Sequence, residues 1–131
     1  MDVNLINIIT LAYLGDAIYE VYIREHLIKN GVAKVEDLQK EAVKFVSAKS
    51  QAKILSYLID NNLLKEVELD IIKRGRNYKR TSHPKNTDLI TYKMSSGFEA
   101  LIGYLYLNND KERLDEIMNY IIGGNYEKEI S

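Results

Sequence analysis

Leu11-Ala-Tyr-Leu-Gly-Asp-Ala-Ile-Tyr-Glu20 decides how the rest of the chain is read, because an apolar helical run is interrupted by one carboxylate, Asp16, directly after Gly15. Apolar side chains at Leu5, Ile8, Ile9, Ala12, Ile18, Tyr19, Tyr22 and Ile23 keep roughly the 3.6-residue period, and Asn30-Gly31 supplies a stop. Asp16 therefore falls mid-helix, where an N-cap role is unavailable. Taken alone it reads equally well as a solvated residue at the edge of the stripe or as a partner of Arg24, since charged groups are seldom buried unpaired.

A second stretch of the same kind shifts that balance. In Ser95-Ser-Gly-Phe-Glu-Ala-Leu-Ile-Gly-Tyr-Leu-Tyr-Leu107 a single acid, Glu99, stands inside another long apolar helix, among the small residues Ser95, Ser96, Gly97, Ala100 and Gly103. Small residues lower helix propensity but let another backbone come close. Two helices, each with one intruding carboxylate and a nearby glycine, can pack so that the carboxylates face each other. Such a pair is a natural site for a hard divalent ion.

The composition narrows the chemistry further. With no cysteine, disulfides, thiolate nucleophiles and cysteine-ligated zinc are excluded together. The two histidines, His26 and His83, are far apart in sequence, so a metal here takes oxygen ligands. At 131 residues the chain reads as one domain with a single core. No apolar run approaches the roughly 20 residues that span a bilayer. The first residues carry no basic segment of a signal peptide, so the expected location is the cytoplasm, with no membrane partner.

The net charge of −1 hides an asymmetry. Residues 73–85 hold six basic side chains and no acid, which leaves 12 basic against 19 acidic residues elsewhere. A localised contact with a polyanion explains such a block better than general solubility does.

Periodicity and caps predict seven helical segments and no strand. The first covers about residues 3–9, either running on into the Asp16 helix or parted from it by a bend, and the second is the Asp16 helix itself, running to about Lys29. A third covers roughly residues 35–45, with Val35, Leu38 and Ala42 on one side. Ser47 or Ser50 caps a fourth, interrupted at Asn61-Asn62. The fifth, about residues 64–74, begins acid-rich and ends basic, as the helix dipole favours. Residues 75–87, with the only proline, have no apolar period and read as a loop of functional length. The sixth helix, carrying Glu99, starts near Asp88. The seventh shows the stripe Leu114, Ile117, Met118, Ile121, Ile122 and is closed by Gly123-Gly124. Residues 1–124 thus form one folded domain, and residues 125–131 a polar C-terminal tail.

Leu14-Gly15-Asp16-Ala17, with Phe98-Glu99-Ala100-Leu101-Ile102-Gly103 and Tyr106-Leu107 in that order downstream, resembles the two catalytic motifs of the ribonuclease III family. The likeness is greatest to the short bacterial form that has the catalytic domain without a double-stranded-RNA-binding domain, and it spans nearly the whole chain. It implies an all-α ribonuclease III-like endonuclease fold of about seven helices. It also implies a Mg²⁺-dependent endoribonuclease that cuts double-stranded RNA, leaving a 5′ phosphate and a 3′ hydroxyl, in maturation of the 23S ribosomal RNA precursor. Asp16 and Glu99 would then be the catalytic residues and the metal ligands.

The family pattern has a glutamate where this chain has Ala12 and an aspartate where it has Ser96. Glu20, one turn after Asp16, is read as an ion pair with Arg24 or as an outer contact of the metal site. Duplex RNA asks for cations set along phosphates, because the deep major groove of A-form RNA is closed to side chains. Lys73, Arg74, Arg76, Lys79, Arg80 and Lys85 meet that need, with Asn77, Asn86 and Thr87 as hydrogen-bonding neighbours.

Cutting both strands points to two copies of the chain. Ten tyrosines, among them Tyr13, Tyr19 and Tyr22, exceed what so small a core takes up. The resemblance implies a twofold homodimer through the Asp16 helix, with Tyr13 and Leu14 at the contact. A ribosomal protein on the substrate is a further implied partner. The alternatives are a catalytically silent RNA-binding or ribosome-associated relative, and a helical metal-dependent nucleotide hydrolase.

Overall fold

Side-chain oxygens of the N-cap residue mark four of the α-helix starts. Asn7 Oδ1 accepts the Ile9 amide, Ser47 Oγ that of Ser50, Asp88 Oδ1 that of Thr91 and Asp110 Oδ1 that of Arg113, at 2.8 to 3.2 Å. Each such cap contributes about 1 kcal/mol by satisfying an amide that the helix cannot. The computed structural model describes residues 1–79 and 88–123, and within them every regular element is helical. A 3-10 turn, Val3–Leu5, is followed by α1 (Ile8–Lys29), α2 (Val35–Val46), α3 (Ala48–Asp60), α4 (Glu66–Asn77), α5 (Leu89–Leu107) and α6 (Lys111–Ile122). The seven expected segments are present, and no strand occurs among the described residues. None of these helices is long and apolar enough to cross a membrane. Residues 124–131, which include the polar tail, lie outside the described part.

The first segment is shorter than its apolar residues suggest. Val3 is buried, but Leu5 is 84% exposed, and Asn7 caps α1 before the chain can continue as one helix. At the far end of α1, Asn30 is the C-cap and Gly31 takes φ of 93°, a left-handed turn that a residue with a Cβ adopts only under strain. Val35 does not join the stripe of α2 either: it is 64% exposed, while Ala42 and Phe45 are buried.

α5 is the centre of the molecule, packed against α1, α4 and α3. Within residues 95–105 every position but Glu99 is buried, so that the helix runs through apolar surroundings with one carboxylate reaching an opening. α4 extends past the expected end at Arg74. Gly75, Arg76 and Asn77 are helical because Gly75 lies against α5, where a Cβ would stand 2.9 Å from the Gly97 Cα. Tertiary contact here overrides the low helix propensity of glycine.

A buried ion pair ties α4 to α6. Arg113 Nε and Nη2 each donate to a Glu68 carboxylate oxygen at 2.7 Å, and Nη2 also reaches the Leu63 carbonyl. Burial pushes the Glu68 carboxyl up, yet the Arg113 guanidinium and the Lys65 amide outweigh it and hold the group below its ordinary value. Tyr19, on α1, is entirely buried; its hydroxyl donates to the Phe45 carbonyl at 2.9 Å and its ring meets Phe98 edge-on at 5.0 Å. Tyr22 donates to Asp115 of α6 at 2.6 Å. Both tyrosines are therefore used within the subunit, which corrects the reading of a tyrosine surplus on α1.

Candidate active site

Two glycines bring α1 and α5 together backbone to backbone. A Cβ added at Gly15 would stand 1.7 Å from the Glu99 carbonyl oxygen, and one at Gly103 would stand 2.0 Å from the Leu11 carbonyl oxygen. Only glycine fits at either crossing point. Asp16 follows Gly15 directly, so it is held beside the turn of α5 that carries Glu99. The two carboxylates, 83 positions apart in sequence, line one cleft of about 190 Å³ together with Ala12, Tyr13, Tyr92 and Ser96. Ala12 and Ser96, the two positions at which the sequence departs from the family pattern, thus open onto the same cleft as the two retained acids.

Asp16 is exposed, Glu99 half-buried and Ser96 buried. Glu99 Oε2 accepts a hydrogen bond of 3.1 Å from Nε2 of Gln51, a side chain of α3 that is 1% exposed. The sequence reading missed Gln51. The available signal was its position three and four residues before Ile54 and Leu55, which puts it on the buried face of α3. Glu20 faces away from the cleft into a separate groove and pairs with Arg24 at 2.9 Å, the ion-pair reading of that residue.

The donors in the cleft are all oxygen, with two carboxylates, hydroxyl groups and open space beside them. No group of three or more histidine, cysteine, aspartate or glutamate side chains that could hold a metal occurs among the described residues. That set fits a hard ion which keeps several of its own waters, as magnesium does, and does not fit a metal that needs a closed protein cage.

Among the described residues, none of the expected basic side chains lines the cleft. Lys73, Arg74 and Arg76 are exposed on the last turns of α4, Asn77 ends that helix, and Lys79 is exposed beyond it. The Gly75–Gly97 contact joins the basic end of α4 to α5 two residues before Glu99. Arg80, Lys85, Asn86 and Thr87 lie outside the described residues. Tyr13 is 83% exposed at the rim of the cleft, and Leu14 beside it is half-buried.

Residues 9–110 match the Ribonuclease III domain. The chain belongs to the ribonuclease III family, and with it to the endoribonucleases. Within that family it is similar to proteins named Mini-ribonuclease 3. It is 48% identical over 122 residues to the one from Streptococcus pneumoniae, covering 93% of this chain and 95% of the relative. To that of Staphylococcus aureus it is 45% identical over 120 residues, 92% and 90% of the two chains. A crystal structure of a protein from Fusobacterium nucleatum superposes with a TM-score of 0.81 at 34% identity, covering 94% of this chain and 97% of that one.

Proposed function

We propose that this endoribonuclease cleaves double-stranded RNA with Mg²⁺, in the cytoplasm, and that its substrate is the duplex flanking precursor 23S ribosomal RNA. The observation that carries this reading is the shared cleft: Asp16 and Glu99 meet there from different helices, with no other acid among its lining residues. In this reading the two carboxylates hold the ion and the Ser96 hydroxyl borders it. When bound, the ion supplies Lewis-acid polarisation of the phosphodiester and activation of water. The chain's own part is to keep two anionic groups at one fixed point, opposite a phosphate that they would otherwise repel.

Lys73, Arg74, Arg76 and Lys79, with Asn77 and the outlying Arg80, Lys85, Asn86 and Thr87, bind the duplex through its backbone. Two copies joined through Tyr13 and Leu14 would set two clefts along one RNA groove, one per strand.

A second reading, RNA binding without cleavage, draws on the small number of carboxylates in the cleft. A defined RNA duplex incubated with and without Mg²⁺ separates the two. Asp16→Asn, which removes a charge while nearly keeping shape, should leave the fold intact and lower cleavage by orders of magnitude. Cutting at the parental rate by this variant overturns the assignment, and binding with no cleavage by the parent at any metal supports the second reading.

A further inference from the structure

Gln51 is 1% exposed, while Ile54, Leu55 and Leu58 on the same face of α3 are aliphatic. Its Nε2 gives one hydrogen to Glu99 Oε2 and the other to the carbonyl of Val46, the last residue of α2, each at 3.1 Å. Its Oε1 is buried without a hydrogen-bond partner. A buried acceptor left unsatisfied weakens a fold, and methionine or leucine would fill much the same volume with no polar atom to satisfy. Apolar packing therefore gives no account of an amide at this position; its two bonds do, one satisfying the Val46 carbonyl at the end of α2 and the other reaching across to Glu99.

Resting on the reading of Asp16 and Glu99 as ion ligands, we propose that Gln51 is a positioning residue that orients Glu99 to take a divalent cation in the cleft. Glutamate has three rotatable side-chain bonds, and tying one oxygen to a fixed donor sets the plane of the carboxylate. The donor is itself fixed, because its second hydrogen is anchored at the α2–α3 junction, where Ser47 caps α3. An amide is suited to the task. It holds the oxygen without cancelling the negative charge, where lysine or arginine would neutralise the carboxylate and repel the ion. With only two carboxylates in the cleft, misorienting one removes half of the charged ligand set.

The test is Gln51→Met, which removes both donors at nearly constant length, with Gln51→Leu as a second form should the first not fold. Mn²⁺ is titrated into the whole protein without RNA and followed by the resonance of the free ion. The expected result is binding weakened by about 10- to 100-fold at a temperature where the variant is fully folded. On duplex RNA, kcat should fall at limiting Mg²⁺ and recover in part as Mg²⁺ rises, with KM for RNA unchanged.

Mn²⁺ binding at parental affinity by a folded Gln51 variant overturns the proposal, as does weakening that disappears once the titration is made at a temperature where the variant is fully folded. Asp16→Asn in the same titration tells the two levels apart. If it weakens Mn²⁺ binding while Gln51→Met does not, only the role of Gln51 fails. If Asp16→Asn binds as tightly as the parent, or the parent binds no Mn²⁺, the functional reading fails and this inference falls with it.

Discussion

Replacing Gly15 with alanine probes the contact on which the site depends. The added methyl carbon would lie 1.7 Å from the Glu99 carbonyl oxygen, half the 3.4 Å at which ordinary contact begins, and 2.9 Å from the Gly103 amide nitrogen. All the obstructing atoms belong to backbone, so no rotamer change relieves them, and α1 and α5 must move apart by more than an ångström. Overpacking of this kind costs up to about 3 kcal/mol, which for a domain of this size lowers the melting temperature by roughly 10 °C.

The same separation carries Asp16 away from Glu99. A misplacement of about 1 Å at reacting groups costs on the order of 100-fold in rate. Thermal unfolding by circular dichroism and cleavage of a duplex RNA well below the variant's melting point read the two effects separately, with Thr10→Ala, exposed on the same helix, as the control. Gly103→Ala should destabilise similarly, because its methyl meets the Leu11 carbonyl oxygen at 2.0 Å. The double variant should lose less than the sum, since one separation relieves both clashes. A Gly15→Ala protein that melts with the parent and cuts at the parental rate would refute the claim that backbone contact between these helices builds the cleft.

Three further outcomes are expected. Glu68→Gln leaves the buried Arg113 guanidinium with only the half-exposed Glu116 as counter-ion and should cost about 1–3 kcal/mol in urea unfolding at neutral pH. Because the folded-state carboxyl lies below its ordinary 4.5, the parent's advantage is full above about that pH and is lost as pH falls through the lower folded value; a difference that stays constant down to strong acid contradicts the pair. Replacing Arg74 and Arg76 with alanine should weaken duplex binding regardless of RNA sequence and reduce the slope of log K against log salt by about 2; an unchanged slope removes the end of α4 from the RNA surface. If the proposed dimer forms, Tyr13→Asp should shift it to monomer in sedimentation; a dimeric parent whose mass the change leaves unaltered moves the contact elsewhere, and a monomeric parent refutes the dimer.

Much of the fold is legible locally. Asn7, Ser47, Asp88 and Asp110 start helices through bonds to amides two or three residues away, and Asn30-Gly31 ends one, so these boundaries are written within a single turn of chain. Asp16 and Glu99 stand out for the same reason: an acid inside an apolar period is visible without knowing what it faces. The basic block of residues 73–85 is visible from charge alone, whereas a dimer contact at Tyr13 and Leu14 rests on the family resemblance.

Gln51 was passed over because a neutral polar side chain on a helix with two lysines reads as surface, and only the approach of α5 makes it a partner of Glu99. Arg113 is an ordinary charged residue until it meets Glu68, 45 positions away. Tyr19 reads as an interface residue until Phe45 and Phe98 enclose it, and Gly75 reads as the end of a helix until Gly97 continues it. Capping and periodicity belong to residues a turn apart, so the sequence by itself determined the helices and the two acids inside them. Which helix faces meet depends on how closely distant backbones can approach, and only the tertiary structure, through Gly15 and Gly103, decided that those acids share one cleft.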